Sequence, residues 1–187
     1  MQQGLIHSVT LVLGGVRSGK SRYSQHIGER SGRVTFIATA ERRDDSEMLA
    51  KIERHRTERP SHWATVEEPL ELARAITAGA TDSDLILVDC LTLFAANLLE
   101  THGEDEKTLQ SRIDKLCMAL DSVPCSVVLV SNEVGSGVVP EYASGRRFRD
   151  LVGEINQRVA VVADNVLFMV AGLPLALKGS ASAEDRA

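Results

Sequence analysis

The sequence predicts an α/β fold, a three-layer α/β/α sandwich around a mostly parallel sheet. Three observations carry that expectation. Short apolar, β-branched runs alternate with segments of helical period, as in a parallel sheet covered on both faces. The first run leads into Gly14-Gly15-Val16-Arg17-Ser18-Gly19-Lys20-Ser21, the complete G-x-x-x-x-G-K-[ST] pattern, and a helix follows it. A later run, Leu85-Ile86-Leu87-Val88-Asp89, ends in a carboxylate. Together they indicate a P-loop nucleotide-binding domain of the RecA-like kind.

Taken in order, Val9 to Leu13 is apolar throughout and reads as the first strand, with Lys20 to Glu29 the helix behind the loop. Val34 to Ala38 is the second strand. From Asp45 to Arg56 the spacing of Met48, Ile52 and His55 puts them on one helical face, and Asp44 and Glu47 stand as in a capping box. Pro60 ends that segment. Ala64 to Val66, Leu85 to Asp89, Val127 to Val130 and Val166 to Val170 complete the strands. Leu70 to Ala78, Leu91 to Leu99, Leu109 to Leu120 and Arg146 to Ala163 carry the remaining helices.

A chain of 187 residues, 43% hydrophobic, suffices for one domain and is short for two. The expectation is a single catalytic domain over residues 1–178 and a disordered tail over 179–187, which is small or polar with nothing to bury. Lys+Arg 21 against Asp+Glu 26 leaves a net charge of -5, which repels a nucleic acid backbone and argues against such a partner. Cys90, Cys117 and Cys125 form no C-x-x-C pair and read as reduced, buried thiols. No signal-peptide pattern is present and no apolar run approaches the ~20 residues that span a bilayer, so the expected location is the cytoplasm.

The chemistry of the loop follows from its composition. Glycines let successive N–H groups converge on one anion, and the helix behind adds its positive dipole end. Lys20 reaches the outer phosphates and the Ser21 hydroxyl holds Mg²⁺. That ion needs a further oxygen anion, or a water held by one, which Asp89 supplies; the competing reading of Asp89 is a cap for the helix that begins at Leu91. Around His55 lie Lys51, Arg54, Arg56 and Arg59, with Glu53 and Glu58 as the nearby acids, a cationic helix end suited to a phosphate chain. By spacing alone such a histidine is more often a partly buried polar residue than a catalyst. His7, His26, His62 and His102 have weaker contexts and are assigned no role.

The loop, the Ala38-Thr39-Ala40 strand end, the Asp44-Asp45…Glu47-Met48 helix start, Ile52 to Pro60 and Ser131 to Glu141 together resemble one family. It is the bifunctional adenosylcobinamide kinase and adenosylcobinamide-phosphate guanylyltransferase of cobalamin biosynthesis. The likeness continues through Arg146-Arg147-Phe148-Arg149-Asp150 and Asn156-Gln157-Arg158 and so covers nearly the whole chain. The resemblance implies that His55 takes GMP from GTP as a phosphoramidate. It implies nucleotide contacts from Gly14, Gly15, Val16, Arg17, Ser18, Gly19, Lys20, Ser21, Ala38, Thr39, Ala40, Arg56, Thr57, Glu58, Arg59, Glu67 and Asp89, with Ser21 and Asp89 at the metal. It further implies ATP or GTP and a corrinoid as substrates, and a homo-oligomer, of which a homotrimer is the family's form. Three departures stand out. Arg54 precedes His55 where members can carry a second histidine; Asp89 stands where a glutamate can occur; Val16 stands where alanine is frequent.

The implied cycle moves the terminal phosphoryl of ATP or GTP to the aminopropanol hydroxyl of adenosylcobinamide, and then GMP from His55 to the phosphate so made. The neighbouring arginines act to disfavour protonation of His55 and to stabilise phosphate charge, while Glu53 and Glu58 act the other way. Glu133 and Glu141 are candidate bases for the first step. Two rival readings stay open: a nucleotide-dependent switch or assembly ATPase, and a plain small-molecule kinase without a covalent intermediate.

Overall fold

Runs such as Leu11-Val12 and Ile86-Leu87-Val88 lack polar alternation, so both faces of any strand they form must be covered. In the computed structural model, which describes residues 7–40, 60–103 and 105–181, they are. The elements are β1 (Val9–Gly14), α1 (Lys20–Glu29), β2 (Val34–Ala38), β3 (Ala64–Glu67), α2 (Leu72–Gly79), β4 (Leu85–Asp89), α3 (Leu91–His102), α4 (Glu106–Ser122), β5 (Ser126–Asn132), α5 (Ala143–Val162), β6 (Asn165–Val170) and β7 (Leu173–Lys178). They build one seven-stranded sheet in the order β3-β2-β4-β5-β1-β6-β7. Every pairing is parallel except β6 with β7. The carboxyl ends of β1 to β6 therefore share one edge, which is where an open α/β sheet binds its ligands.

Two apolar clusters sandwich the sheet. On one face Leu72, Ile76, Phe94, Leu98, Ile113 and Leu151 bring α2, α3, α4 and α5 onto Leu11, Ile37, Ile86 and Leu129. On the other, Tyr23 of α1 and the single tryptophan, Trp63, pack on Val12, Phe36, Leu87 and Leu167. Gly28 is what admits Trp63 against α1, since a Cβ there would lie 2.5 Å from the indole ring. Among the described residues no helix is long and apolar enough to cross a membrane.

The expected strands and helices that fall on described residues agree with this structure apart from their ends and one omission. Helix α4 starts at Glu106 rather than Leu109 because Asp105 caps it, accepting from the Thr108 amide at 3.2 Å. Helix α5 starts at Ala143, before Arg146, whose guanidinium donates to the carbonyls of Pro140 (3.1 Å) and Glu141 (2.6 Å). The omission is β7, antiparallel to β6 and closing the sheet as an edge strand. Pro174 makes its sequence a poor strand candidate, yet an edge strand tolerates proline. Leu173, Leu175 and Leu177 on it remain 62, 57 and 60% exposed. Past β7, the Ser180 amide donates to Asn165 and Ala181 packs on the sheet. The helix expected at Asp45 to Arg56, with Asp44, Met48, Ile52 and His55, lies outside the described residues, as do Arg56, Thr57, Glu58 and Arg59 and the tail beyond Ala181.

The three thiols are free, with Cys90 and Cys125 buried and Cys117 half-buried. Burial pushes the Cys90 thiol up to about 11, and Cys117 and Cys125 move the same way for the same reason, so none is a ready nucleophile.

Candidate functional site

Gly14 closes β1 and turns the chain into the loop. Its φ of +151° and its surroundings both require glycine, for a Cβ would sit 2.6 Å from the Met169 carbonyl and 2.6 Å from Ser18 Oγ. Arg17 and Gly19 also take positive φ, 57° and 101°, which curls residues 14–19 around a hollow in front of α1. Lys20, 7% exposed, folds back into that curl, its ammonium donating to the carbonyls of Gly14 (2.9 Å) and Gly15 (2.6 Å). Buried in this way, the ammonium reaches a phosphate by exchanging carbonyl partners, and the attraction is undiluted by bulk water.

The hairpin between β6 and β7 forms the far wall. Ala171 (φ 53°) and Gly172 (φ 83°) make its tight turn, and the Gly172 amide donates to the Ser18 carbonyl at 2.9 Å. A Cβ on Gly19 would lie 2.9 Å from Gly172 Cα, so turn and loop are in backbone contact. Between them opens a cleft of about 450 Å³, bounded by Arg17, Lys20, Ser21, Arg22, Ala171 and Gly172 among others. Among the described residues no carboxylate lines it.

On the other side of β1 the edge is a row of strand ends. Ala38 pairs in register with Glu67 on one side and with Asp89 on the other, so these three expected contacts stand abreast. At the ~4.8 Å spacing of strands, β4 lies about 10 Å and β3 about 19 Å from β1. Asp89 is half-buried, and the cap position of α3 belongs to Cys90, which makes no side-chain cap bond; Asp89 is thus not that helix's cap. Thr39 is fully buried: its hydroxyl donates to the Cys90 carbonyl at 2.7 Å and accepts from the Cys90 amide at 2.8 Å. Its own amide donates to the Asp89 carbonyl at 3.1 Å, and Asn97 donates to its carbonyl at 2.8 Å. Thr39 therefore serves the edge by locking the end of β2 to the end of β4.

Glu133 follows β5 beside the loop, its amide donating to the Gly14 carbonyl at 3.1 Å. Its carboxylate accepts from the amides of Gly135 (2.5 Å) and Ser136 (3.0 Å), which shapes the turn that follows. Glu141 is exposed on the loop before α5. The tip of β5 is fixed from behind by Thr92, which accepts from the Asn132 amide at 2.8 Å, and by Asn156, which donates to the Asn132 carbonyl at 3.2 Å.

The structure thus gathers Gly14 to Ser21 into one cradle and aligns Ala38, Thr39, Ala40, Glu67 and Asp89 along the same edge. Sequence reasoning assigned no role to the supports, Thr92, Asn97 and Asn156, nor to the wall formed by Arg22, Ala171 and Gly172. Asn97 carried a readable signal, an amide within the apolar run Leu91 to Leu99. The turn residues carried none, because their meeting with the loop spans the whole chain.

Comparisons with known proteins bear on the family and the fold. A family model described as cobinamide kinase / cobinamide phosphate guanyltransferase matches residues 10–177. The bifunctional adenosylcobalamin biosynthesis protein CobP of Pseudomonas aeruginosa is 45% identical over 170 residues, 90% of this chain and 96% of that protein. The bifunctional adenosylcobalamin biosynthesis protein CobU of Escherichia coli is 40% identical over 179 residues, 90% of this chain and 98% of that one. Among solved structures, a prototypical ATPase from the type III secretion system of pathogenic bacteria superposes with a TM-score of 0.56 at 13% identity, over 95% of this chain and 60% of that chain. That likeness bears on the fold alone.

Proposed function

The chain belongs to the cobinamide kinase / cobinamide phosphate guanyltransferase family, and from that premise we propose that the carboxyl edge of its sheet carries out two successive transfers. The protein is a bifunctional kinase and guanylyltransferase of cobalamin nucleotide-loop assembly. In the first transfer the bond between the β and γ phosphates of ATP or GTP breaks, and the γ-phosphoryl passes to the aminopropanol hydroxyl of adenosylcobinamide. The loop amides and Lys20 hold the phosphates, and the ammonium balances charge that spreads over the oxygens in transfer. Glu133, whose amide abuts Gly14, is the better placed of the two candidate bases for the hydroxyl proton.

In the second transfer His55 attacks the α-phosphorus of GTP; a P–N bond forms and pyrophosphate leaves. An oxygen of adenosylcobinamide phosphate then displaces the imidazole, giving adenosylcobinamide-GDP and restoring His55. Arg56, Thr57, Glu58 and Arg59, with Ala38, Ala40, Glu67 and Asp89, are the proposed surroundings of the guanine nucleotide; Thr39, expected among them, is fully buried and instead holds the end of β2 in place. This assignment rests on the resemblance to the family, which residues 52–60 carry for His55 and its neighbours.

The residues fit Mg²⁺. Ser21 opens α1 and Asp89 ends β4, which suits an ion that takes most of its ligands from phosphates and waters. Among the described residues no group of three or more His, Cys, Asp or Glu could cage a metal unaided. When bound, Mg²⁺ supplies charge neutralisation between phosphates. A homo-oligomer, in trimeric form, completes the proposal, and the outward leucines of β7 support it because such an apolar edge is normally covered.

The observation that carries the proposal is the intact phosphate cradle, with buried Lys20, in a chain whose family match runs over residues 10–177. Supplying adenosylcobinamide with ATP and then GTP tests it, with the corrinoid products separated by chromatography. The phosphate and then adenosylcobinamide-GDP are expected, with one pyrophosphate released per GDP-linked product. Nucleotide hydrolysis without a corrinoid product would favour the switch ATPase, and arrest at the phosphate the plain kinase.

A further inference from the structure

We infer that the loop between β5 and α5, residues 133–142, is the docking surface for the corrin ring of adenosylcobinamide, with Val138 and Val139 set against an apolar face of the macrocycle. The inference rests on the reading above, in which this chain phosphorylates that corrinoid, and gives the acceptor its place.

The size of the acceptor limits where it can sit. Only its aminopropanol hydroxyl has to reach the terminal phosphoryl at the cradle, so the macrocycle must rest on protein surface close by. The loop begins there, since the Glu133 amide donates to the Gly14 carbonyl at 3.1 Å. Val138 and Val139 follow five and six residues later, at most about 22 Å away in an extended chain and nearer through the turn at Gly135 and Ser136. A corrin ring with its side arms covers a comparable distance.

The loop is pinned at both ends so that its apolar residues face outward. At its start the Glu133 carboxylate accepts from the amides of Gly135 (2.5 Å) and Ser136 (3.0 Å) and from the Ser136 hydroxyl (3.3 Å), while Val134 packs on the core. At its end the Arg146 guanidinium donates to the carbonyls of Pro140 and Glu141. Gly145 of α5 lies so close to Pro140 that a Cβ there would come within 2.8 Å of the proline Cβ. Between these anchors Val138 is 96% and Val139 58% exposed, with Tyr142 beside them at 75%. Apolar groups held in water by a fixed backbone mark a binding surface.

The chemistry of that surface selects its occupant. Residues 133–142 carry two carboxylates, Glu133 and Glu141, and no lysine, arginine or histidine, so the loop offers a nucleotide nothing to hold its phosphates. It suits adenosylcobinamide, whose cobalt(III) leaves the molecule a net positive charge. Among the described residues nothing hydrogen-bonds to the amides or carbonyls of Gly137, Val138 and Val139. A corrin ring has apolar faces inside a rim of carboxamide arms, which both donate and accept, and a ledge of valines with open peptide groups meets both features. The exposed leucines of β7 lie three strands from β5 and are the face given above to a second copy.

Hydrogen–deuterium exchange of the full chain tests the surface, with Mg²⁺, a non-hydrolysable ATP analogue and saturating adenosylcobinamide. Exchange at the amides of residues 134–142 is expected to slow when the corrinoid is added to the nucleotide complex; slowing confined to other segments would overturn the inference. Substitution gives a second test. Val138→Ser combined with Val139→Ser is expected to raise the Kd for adenosylcobinamide about tenfold, read by equilibrium dialysis from the corrin absorbance. The apolar pair Val138→Ile and Val139→Ile should keep it within about twofold, and GMP loading from GTP should change less than about twofold in either variant. An unchanged Kd in the serine variant, or equal losses of GMP loading and corrinoid binding, would overturn the surface. A fall in its sedimenting mass would put a second copy on the loop and overturn it likewise. Corrinoid phosphorylation with no slowing at the loop would sink this inference alone. Slowing at the loop with no phosphoryl transfer would sink the kinase reading and leave the surface standing.

Discussion

Lys20 and Thr39 show two ways in which a buried polar side chain serves the same edge. Lys20 is held by two loop carbonyls that a phosphate can replace, so its partners in the free protein preserve its position for ligand. Lys20→Met is therefore expected to leave the fold intact and to lower corrinoid phosphorylation by about 100-fold or more, measured as kcat/KM. Thr39 makes its bonds permanently to Cys90, and nothing exposed is left to exchange. Thr39→Val should strand the Cys90 amide, while the Cys90 carbonyl keeps its bond from the Phe94 amide, and cost about 1–3 kcal/mol in urea denaturation, whereas Thr39→Ser should recover most of that loss. The role of Lys20 is legible from the loop motif alone, whose eight residues are contiguous. The role of Thr39 is not, because Cys90 is 51 residues away and only the register of β2 against β4 brings them together.

At the scale of elements, position comes from a few contacts between segments remote in sequence. The β6–β7 turn meets the phosphate loop, α1 meets Trp63, and α4 is tied to its neighbours by Arg147 with Glu106, Arg158 with Asp114, and Arg112 of α4 with Glu71 before α2. These ion pairs are partly exposed and each contributes at most about 1 kcal/mol, so they set helix register more than stability. Gly28→Ala is the sharper probe of an element contact, since the methyl would meet the indole at 2.5 Å. It should destabilise the protein by about 1–3 kcal/mol and shift the emission of the single tryptophan, read by equilibrium unfolding and fluorescence. Most strands and helices were readable because their apolar runs and periods are local signals. Strand β7 was not, because what makes Leu173 to Lys178 a strand is the free edge of β6, a property of the sheet.

For the molecule as a whole, charge and shape give two expectations. The Thr108 hydrogen bonds at Asp105, the Arg33 amide and guanidinium at Asp84, the Arg112 guanidinium at Glu71, and Gln110 with Arg147 at Glu106 hold these carboxyls below their usual range. A carboxyl with a lowered folded value contributes stability above its unfolded value, about pH 4, and loses it as pH falls through the folded value. Thermal unfolding should accordingly be flat from pH 7 to about 5 and fall below about 4, and Asp105→Asn should reduce that acid slope. If the outward leucines of β7 are covered by another copy, sedimentation should give a multiple of the 20.3 kDa chain mass, and Leu175→Lys should shift it towards one. The fold class was legible from the sequence, as was the position of the loop and of Asp89 at the carboxyl edge that forms the candidate site. The residues that steady the strand ends were not, since folding assembles them from separate helices.

Formation of a covalent guanylyl enzyme is the claim on which the two-reaction account turns. Incubation with Mg²⁺ and GTP labelled at the α-phosphate, followed by denaturation and peptide mapping, measures it directly. The account predicts one acid-labile, alkali-stable GMP on the peptide containing His55, absent from His55→Asn. Label retained in that variant, or none in the unaltered protein, would contradict it.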